Sequence, residues 1–443
     1  MSSPASTLPP LDTVITGGTA VLPWGETLLN IGITDGRIAY LGSEHPKAAQ
    51  HLNAKGLHIL PGCIDAQVHF REPGLTHKED LESGTRGAVL GGITTVLEMP
   101  NTNPSTTDAA AMADKVHRAQ QTAWCNTQFF VGVTPHNASQ LETLERLPGC
   151  CGGKIFMGSS TGSLLVDDAK ALEAAFASGH RRICVHAEDE ARLKERYSLA
   201  ATEGHPRAHP LWRDEQTGLI ATQQAVALAE KYRRPVHVLH VTTAEEAAFL
   251  AQHKRWATME VLPQHLTLSA PECYERLGTL AQMNPPIREK RHQEALWQAV
   301  QTGVVNVIAS DHAPHTLDEK AKPYPQSPSG LTGVQTLLPI MLNHVHAGRL
   351  SLSHLVTLLC SNPAKLFELP GKGAIALGMD ADLTLVDLKT TREISNQWIA
   401  SKVGWTPYDG LSITGWPIMT LINGTVVMQN DTLIQRPTVT SLH

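Results

Sequence analysis

The feature that most restricts what this chain can fold into is an alternation through its middle. Eight short apolar runs recur: GCIDAQVHF, GITTVLEM, NTQFFVGV, GGKIFMG, RRICVHA, PVHVLHV, ATMEVLP and VVNVIAS. Each is followed by a stretch able to form a helix, such as DDAKALEAAFASG after the fourth and AEEAAFLAQHK after the sixth. Short runs rich in Val and Ile are buried strands, and eight strand–helix units close into a (β/α)8 barrel of the TIM type. The competing architecture is a doubly wound open sheet. That fold carries a GxGxxG turn after its first strand, and none stands there.

The two ends differ from the middle and resemble each other. Leu11 to Leu60 consists of β runs broken by glycine, as in TVITGGTAVLP and NIGITDGRIAYLG, and the segment after Gly371 reads alike, as in GKGAIALGMDADLTLVDL. The expectation is one small β-sandwich domain built from residues 1–60 and 371–443, flanking a barrel over 61–370. Met1 to Pro10 is Ser/Pro-rich, with no basic patch and no long apolar run, and is expected to be a disordered lead-in rather than a signal peptide.

Composition excludes several function classes. A net charge of −6 does not suit a nucleic-acid-binding surface. No apolar stretch is long enough to span a bilayer. The seven cysteines are odd in number and show no CxxC spacing, which argues against a disulfide framework or a thiolate zinc site. Cys184 reads as a small core residue, and the pair Cys150–Cys151 as part of a loop. A reducing, cytoplasmic setting is the expectation.

In a (β/α)8 barrel the chemistry sits at the carboxyl ends of the strands. Those ends carry Asp65, Gln67, His69 and Arg71 on the first strand, Asn101 after the second, and Lys154 on the fourth. His186 ends the fifth strand, His240 the sixth, and Asp311–His312 the eighth. One histidine at a strand end is usually a packed, hydrogen-bonded residue. Metal-ligand types converging from five strands of an otherwise apolar barrel are far harder to obtain by chance. Lys154 is chemically distinct, because an ammonium with an ordinary pKa of about 10.4 cannot ligate a cation. It either pairs with an acid or loses its proton; with CO2 the neutral amine forms a carbamate, in effect a carboxylate on a long arm.

Taken in order, HFREPGLTHKED, MPNTNP, GGKIFMGSSTG, VHAEDE, VLHVTT, NPPIR and SDHAPH resemble the motif series of bacterial dihydroorotases. KGAIALGMDADLTLVD resembles the composite β domain of the wider amidohydrolase superfamily, and the likeness runs from about Leu11 to about Val427. The resemblance implies that His69 is a first-strand metal ligand and that Lys154 is a carboxylated lysine bridging two metals. It implies that His186 and His240 hold the second metal, and that Asp311 is both ligand and proton shuttle. Arg71 and Asn101 would grip the substrate carboxylate with His315 closing on it, and Asn284 would contact substrate. The implied cofactor is zinc, one ion or two, with a CO2-derived carbamate on Lys154. The implied partners are dihydroorotate and carbamoyl aspartate, a second copy in a homodimer, and aspartate transcarbamoylase.

The chain departs from the superfamily pattern at one position. The usual His-x-His of the first strand is Gln67-Val68-His69. An amide oxygen is a poorer zinc ligand than imidazole. Gln67 therefore binds weakly, or the first metal is held loosely, or the site runs on one metal. Allantoinases and hydantoinases share the expected fold and chemistry, but their substrates lack the ring carboxylate that Arg71 would hold. A non-catalytic partner of aspartate transcarbamoylase is the reading outside enzymes. The segment PHTLDEKAKPYPQSPSGLTG after Asp311 is either a loop that closes on substrate or an ordinary surface loop. His77, His136, His205, His209, His344 and His346 are expected in loops or helices, either solvated or packed behind the residues that touch substrate and metal. Asp65 is expected as a buried hydrogen-bonding group, and Asp380 and Asp382 in turns, while the sequence leaves open whether His265, at the end of the seventh strand, packs behind the site.

Overall fold

A computed structural model describes residues 11–159 and 164–437. The Ser/Pro-rich lead-in and residues 160–163 of the GGKIFMGSSTG motif lie outside the described residues.

All eight apolar runs are strands. They are Cys63–Val68, Ile93–Glu98, Asn126–Gly132, Cys150–Phe156, Ile183–His186, Val236–Val238, Ala257–Val261 and Val307–Ile308. Each pairs in parallel with the next. The ring closes where Val68 bridges His312 and the His69 N–H donates to the His312 carbonyl at 2.7 Å. Strands covered by helices on one side and by the barrel interior on the other are buried throughout, which is why they read as unbroken apolar runs. Cys150 and Cys151, expected in a loop, instead open the fourth strand as buried residues. The turn ends one residue earlier, at Gly149, whose φ is 80°.

The helices start where the sequence places an oxygen acceptor. Asp80, Asp108, Asp168, Asp189, Asp214 and Thr243 each accept a backbone N–H of the first turn of the helix that follows. These caps set where each strand-to-loop segment ends, and so how much chain remains between a strand end and its helix.

The terminal segments join in one mixed sheet of nine strands. The strand His58–Pro61 is the seam: it pairs in parallel with Leu11–Leu22 and antiparallel with Leu383–Glu393. Ile15, Ile31, Ile59, Leu383 and Leu421 form the core of this sheet. Asp382 was expected in a turn, but it is a buried junction residue. It binds Lys372 Nζ at 2.6 Å and accepts from Asn126 Nδ2, on the third barrel strand, at 2.8 Å. Within the C-terminal part, Trp405 leaves the sheet and packs by the barrel mouth, where its indole N–H donates to the His315 carbonyl at 2.8 Å.

Candidate active site

The carboxyl ends of the strands surround a cavity. Nine of the ten expected site residues line it: Gln67, His69, Arg71, Asn101, Lys154, His186, His240, Asn284 and Asp311. The tenth, His315, stands behind Arg71, with Nε2 3.3 Å from Nη2 of the guanidinium. Three of these residues have left-handed backbone although none is glycine: Arg71 at φ 64°, His240 at 37° and Asp311 at 46°. Such conformations cost free energy, persist only where the surroundings impose them, and cluster at functional sites.

The ligand-type groups form two pairs. Nε2 of His69 is 3.1 Å from Oδ1 of Asp311. On the other pair, Nδ1 of His186 is 3.1 Å from Nε2 of His240. Each histidine is oriented from its other side or by its strand. Nδ1 of His69 lies 2.6 Å from Oδ1 of Asn101, and Nε2 of His186 lies 2.8 Å from Oε2 of Glu188. A hydrogen bond at one ring nitrogen leaves the other with its lone pair for a cation. Burial pushes the pKa of His69, His186 and His240 down, so these rings are neutral, as ligation requires.

Among the described residues, the one trio of histidine and carboxylate atoms within 4.8 Å of one another is elsewhere: Glu215, Glu289 and His292. There Arg291 already pairs with Glu215 at 2.9 Å, so the group is a surface ion-pair cluster. In the cavity each pair therefore lacks a third ligand of its own kind. Lys154, from the fourth strand, lines the same cavity. It is buried and its Nζ has no hydrogen-bond partner. Burial brings its pKa down to about 8, so a minor neutral fraction exists near neutral pH. Two more orphaned buried atoms face the same problem, Oε1 of Gln67 and Nδ1 of His240. A buried polar atom without a partner is expensive, and a cation in the cavity would satisfy the amide oxygen and, once Lys154 is neutral or a carbamate, the lysine arm. The donor set fits a metal.

Gln67 does not stand idle. Its amide Nε2 donates to Oδ1 of Asp311 at 3.1 Å, the same oxygen that approaches His69. Asp65 holds the chain below: its Oδ1 accepts from Ser310 N at 3.0 Å and Gln67 N at 3.2 Å, as expected of a buried hydrogen-bonding group. Burial raises Asp65 to about 7, against those hydrogen bonds. Arg71 is buried, and its Nε donates to the Pro314 carbonyl at 3.3 Å. Burial lowers its pKa to about 10, which leaves it fully charged at neutral pH.

The loop after Asp311 packs closely over the site. Lys320 is buried, and its Nζ donates to the carbonyls of Gln282, Pro328 and Gly330 at 3.0, 2.9 and 3.1 Å. This anchor seats Ser329 and Gly330 in the cavity wall. Gly330, at φ 148°, admits no side chain, since a Cβ would come within 2.3 Å of the Ala313 carbonyl. His265, left open by the sequence, lies behind the site, with Nε2 3.2 Å from the Pro285 carbonyl. His209, expected in a loop or helix and either solvated or packed behind the site, opens the short helix His209–Trp212 and packs behind the site. It is fully buried, its Nε2 is 2.9 Å from Oδ1 of Asn284, and burial lowers its pKa to about 3.

The sequence reading missed Glu188, Arg213, Phe156 and Ser329. Glu188 was findable: it lies two residues beyond His186 within VHAEDE. Arg213 stands in the short break between the helices His209–Trp212 and Glu215–Tyr232, and Ser329 in the long loop after Asp311.

The family model for the amidohydrolase family matches residues 58–427, and the chain belongs to that family. Its relatives narrow the class. The dihydroorotase of Methanothermobacter thermautotrophicus is 34% identical over 417 residues, covering 93% of both chains. The dihydroorotase of Halobacterium salinarum is 38% identical over 380 residues, 85% of this chain and 87% of its own. Within the family the chain is thus a member of the dihydroorotases, and these relatives are archaeal rather than bacterial. In structure it is similar to the L-hydantoinase of Arthrobacter aurescens, with TM-score 0.92, 28% identity, and coverage of 97% and 98% of the two chains. A D-hydantoinase follows at TM-score 0.87 and 27% identity, with 97% of each chain covered.

Proposed function

We propose that this chain catalyses the reversible, metal-dependent opening of dihydroorotate to N-carbamoyl aspartate, a step of pyrimidine biosynthesis. The observation that carries the choice among cyclic amidases is Arg71. A buried guanidinium at the rim of a metal-type cavity, beside Asn101, matches a ring that bears a carboxylate, because it offers a planar two-pronged donor. Hydantoin and dihydrouracil rings present no such group.

The residues that would hold metal are Lys154 as its carbamate, His186 and His240 on one side, and His69 with Asp311 on the other. Zinc suits this set of imidazole and carboxylate donors. A divalent metal there would lower the pKa of water towards about 7 and polarise the scissile carbonyl. Asp311 then takes the proton of the attacking water and returns it to the leaving ring nitrogen. Its Oδ1 is fixed for this by Gln67 and His69. Arg71, Asn101 and Asn284 hold the ring so that the carbonyl faces the water, and His315 fixes the guanidinium. The buried loop anchored by Lys320 limits competing solvent. In the reverse direction the same groups bring the carbamoyl nitrogen onto the side-chain carboxyl.

Because Gln67 engages Asp311 through its amide nitrogen, only its carbonyl oxygen remains for a cation. The His69 side is thus the weaker half of the site and the Lys154 side the stronger. The test is stepwise chelation of the purified protein: one metal leaves first, and Gln67→His retains it. Equal retention of both ions, or no effect of Gln67→His, contradicts this assignment.

A further inference from the structure

The segment between the two helices that follow the fifth barrel strand reaches both walls of the cavity. The helices are Glu190–Glu203 and Glu215–Tyr232, and residues 209–213 lie between them. Arg213 is buried, its Nη2 lies 3.2 Å from Oε2 of Glu188, and the same Glu188 oxygen is 2.8 Å from Nε2 of His186. Arg213 also donates to the Ser159 carbonyl, on the chain leaving the Lys154 strand. Four residues earlier, His209 contacts Oδ1 of Asn284 at 2.9 Å and the Met283 carbonyl at 3.0 Å, while its Nδ1 meets the Tyr324 hydroxyl at 3.2 Å. The segment itself is rigid: the Trp212 ring lies edge-on to His209 at 5.6 Å and under the Arg213 guanidinium at 5.0 Å. Asp214 next in sequence binds Arg192 at 2.8 Å and Arg196 at 3.3 Å.

We propose that residues 209–213 are a positioning clasp that ties the metal wall of the site to its substrate wall. Through Glu188, Arg213 fixes which nitrogen His186 turns towards His240. Through Asn284, His209 fixes the polar group opposite. Neither residue touches the reacting atoms. The reason for a carboxylate at Glu188 is general: an acceptor on the far nitrogen of a ligating imidazole sets its tautomer and raises its basicity, and its loss costs about 10–100-fold in metal affinity. Arg213 is needed because a lone carboxylate at zero exposure would be poorly stabilised. The single segment holds the two walls in register, Arg213 positioning the metal wall and His209 the substrate wall.

The inference rests on the proposed metal site, and its test separates the two. Zinc affinity of the full chain is measured by competition with a chromophoric chelator, alongside kcat, KM and Tm for dihydroorotate. Glu188→Gln keeps volume and an acceptor but removes the charge. It is expected to weaken zinc about 10–100-fold while KM moves little. His209→Gln is expected to raise KM with zinc affinity unchanged. Arg213→Lys, which keeps the charge, recovers zinc affinity relative to Arg213→Gln. A merely structural role would lower Tm and degrade both readouts in parallel in every variant. That outcome overturns the proposal, as does zinc affinity within twofold of wild type in folded Glu188→Gln. Should Glu188→Gln not fold, the Arg213→Lys and Arg213→Gln pair decides by the same criterion. A wild type that binds zinc tightly but never opens dihydroorotate refutes the substrate reading, and the zinc measurements still decide the clasp.

Discussion

Replacing Arg71 by Ala tests the assignment of substrate class most sharply. The guanidinium is buried beside the ligand pairs, and its fork is held by the Pro314 carbonyl and by His315. A hydrogen bond to a charged group contributes about 1.5–3 kcal/mol, so two to a carboxylate contribute about 3–6 kcal/mol. At about 1.4 kcal/mol per decade that is a loss of roughly 10²–10⁴ in kcat/KM for dihydroorotate. The residual enzyme should still open a neutral ring, since the metal ligands are untouched. The assay is a four-way cycle: wild type and Arg71→Ala, each with dihydroorotate and with dihydrouracil, the same ring without the carboxylate. The coupling between residue and carboxylate should be several kcal/mol. Arg71→Lys should recover only part of the loss, because an ammonium has charge without the fork. Equal losses on both substrates, giving no coupling, would refute the reasoning and return the choice to the hydantoinase-like activities of the structural neighbours.

Other consequences can be measured independently. Lys154→Arg cannot form a carbamate, so the purified variant should contain less than one metal per chain by elemental analysis; undiminished metal would show that Lys154 is no ligand. Lys115 and Glu98 form a buried ion pair beneath the second strand's end, and Lys115 also donates to the Met99 carbonyl at 3.1 Å. Lys115→Met should destabilise the fold by about 3–5 kcal/mol, read as a large fall in Tm, because it strands Glu98 in the interior. His237 is fully buried, which lowers its pKa to about 3. The unfolded chain takes up this proton as pH falls below about 6.5, so stability is full above that value and declines towards pH 3. By pH 5 the loss is about 2 kcal/mol. Urea midpoints at pH 7.5 and pH 5 should differ accordingly, and the difference should shrink in His237→Gln.

Much of this molecule was legible in its sequence because barrel strands are buried on both faces and must be apolar throughout. That makes each run visible without periodicity, and the ligands then stand out as polar residues at run ends. His186 and His240 were found in this way. The loop residues were not. Arg213 and Ser329 reach the site from segments outside the barrel strands, and no apolar run or strand end marks them. Asn284 was reached by motif likeness alone, and its partner His209 lies 75 positions away. The Cys150–Cys151 misreading has the same root: the strand starts where Gly149 ends its turn, and two small polarisable residues carry no signal of their own.

The central claim is that this chain is a working metal-dependent dihydroorotase despite glutamine at position 67. Counting metals per chain in protein purified without chelator, and assaying dihydroorotate opening on the same sample, tests it most directly. The account predicts at least one tightly held metal together with turnover. A folded protein with no metal and no turnover after zinc and bicarbonate are supplied would contradict it, and would favour a non-catalytic partner of aspartate transcarbamoylase.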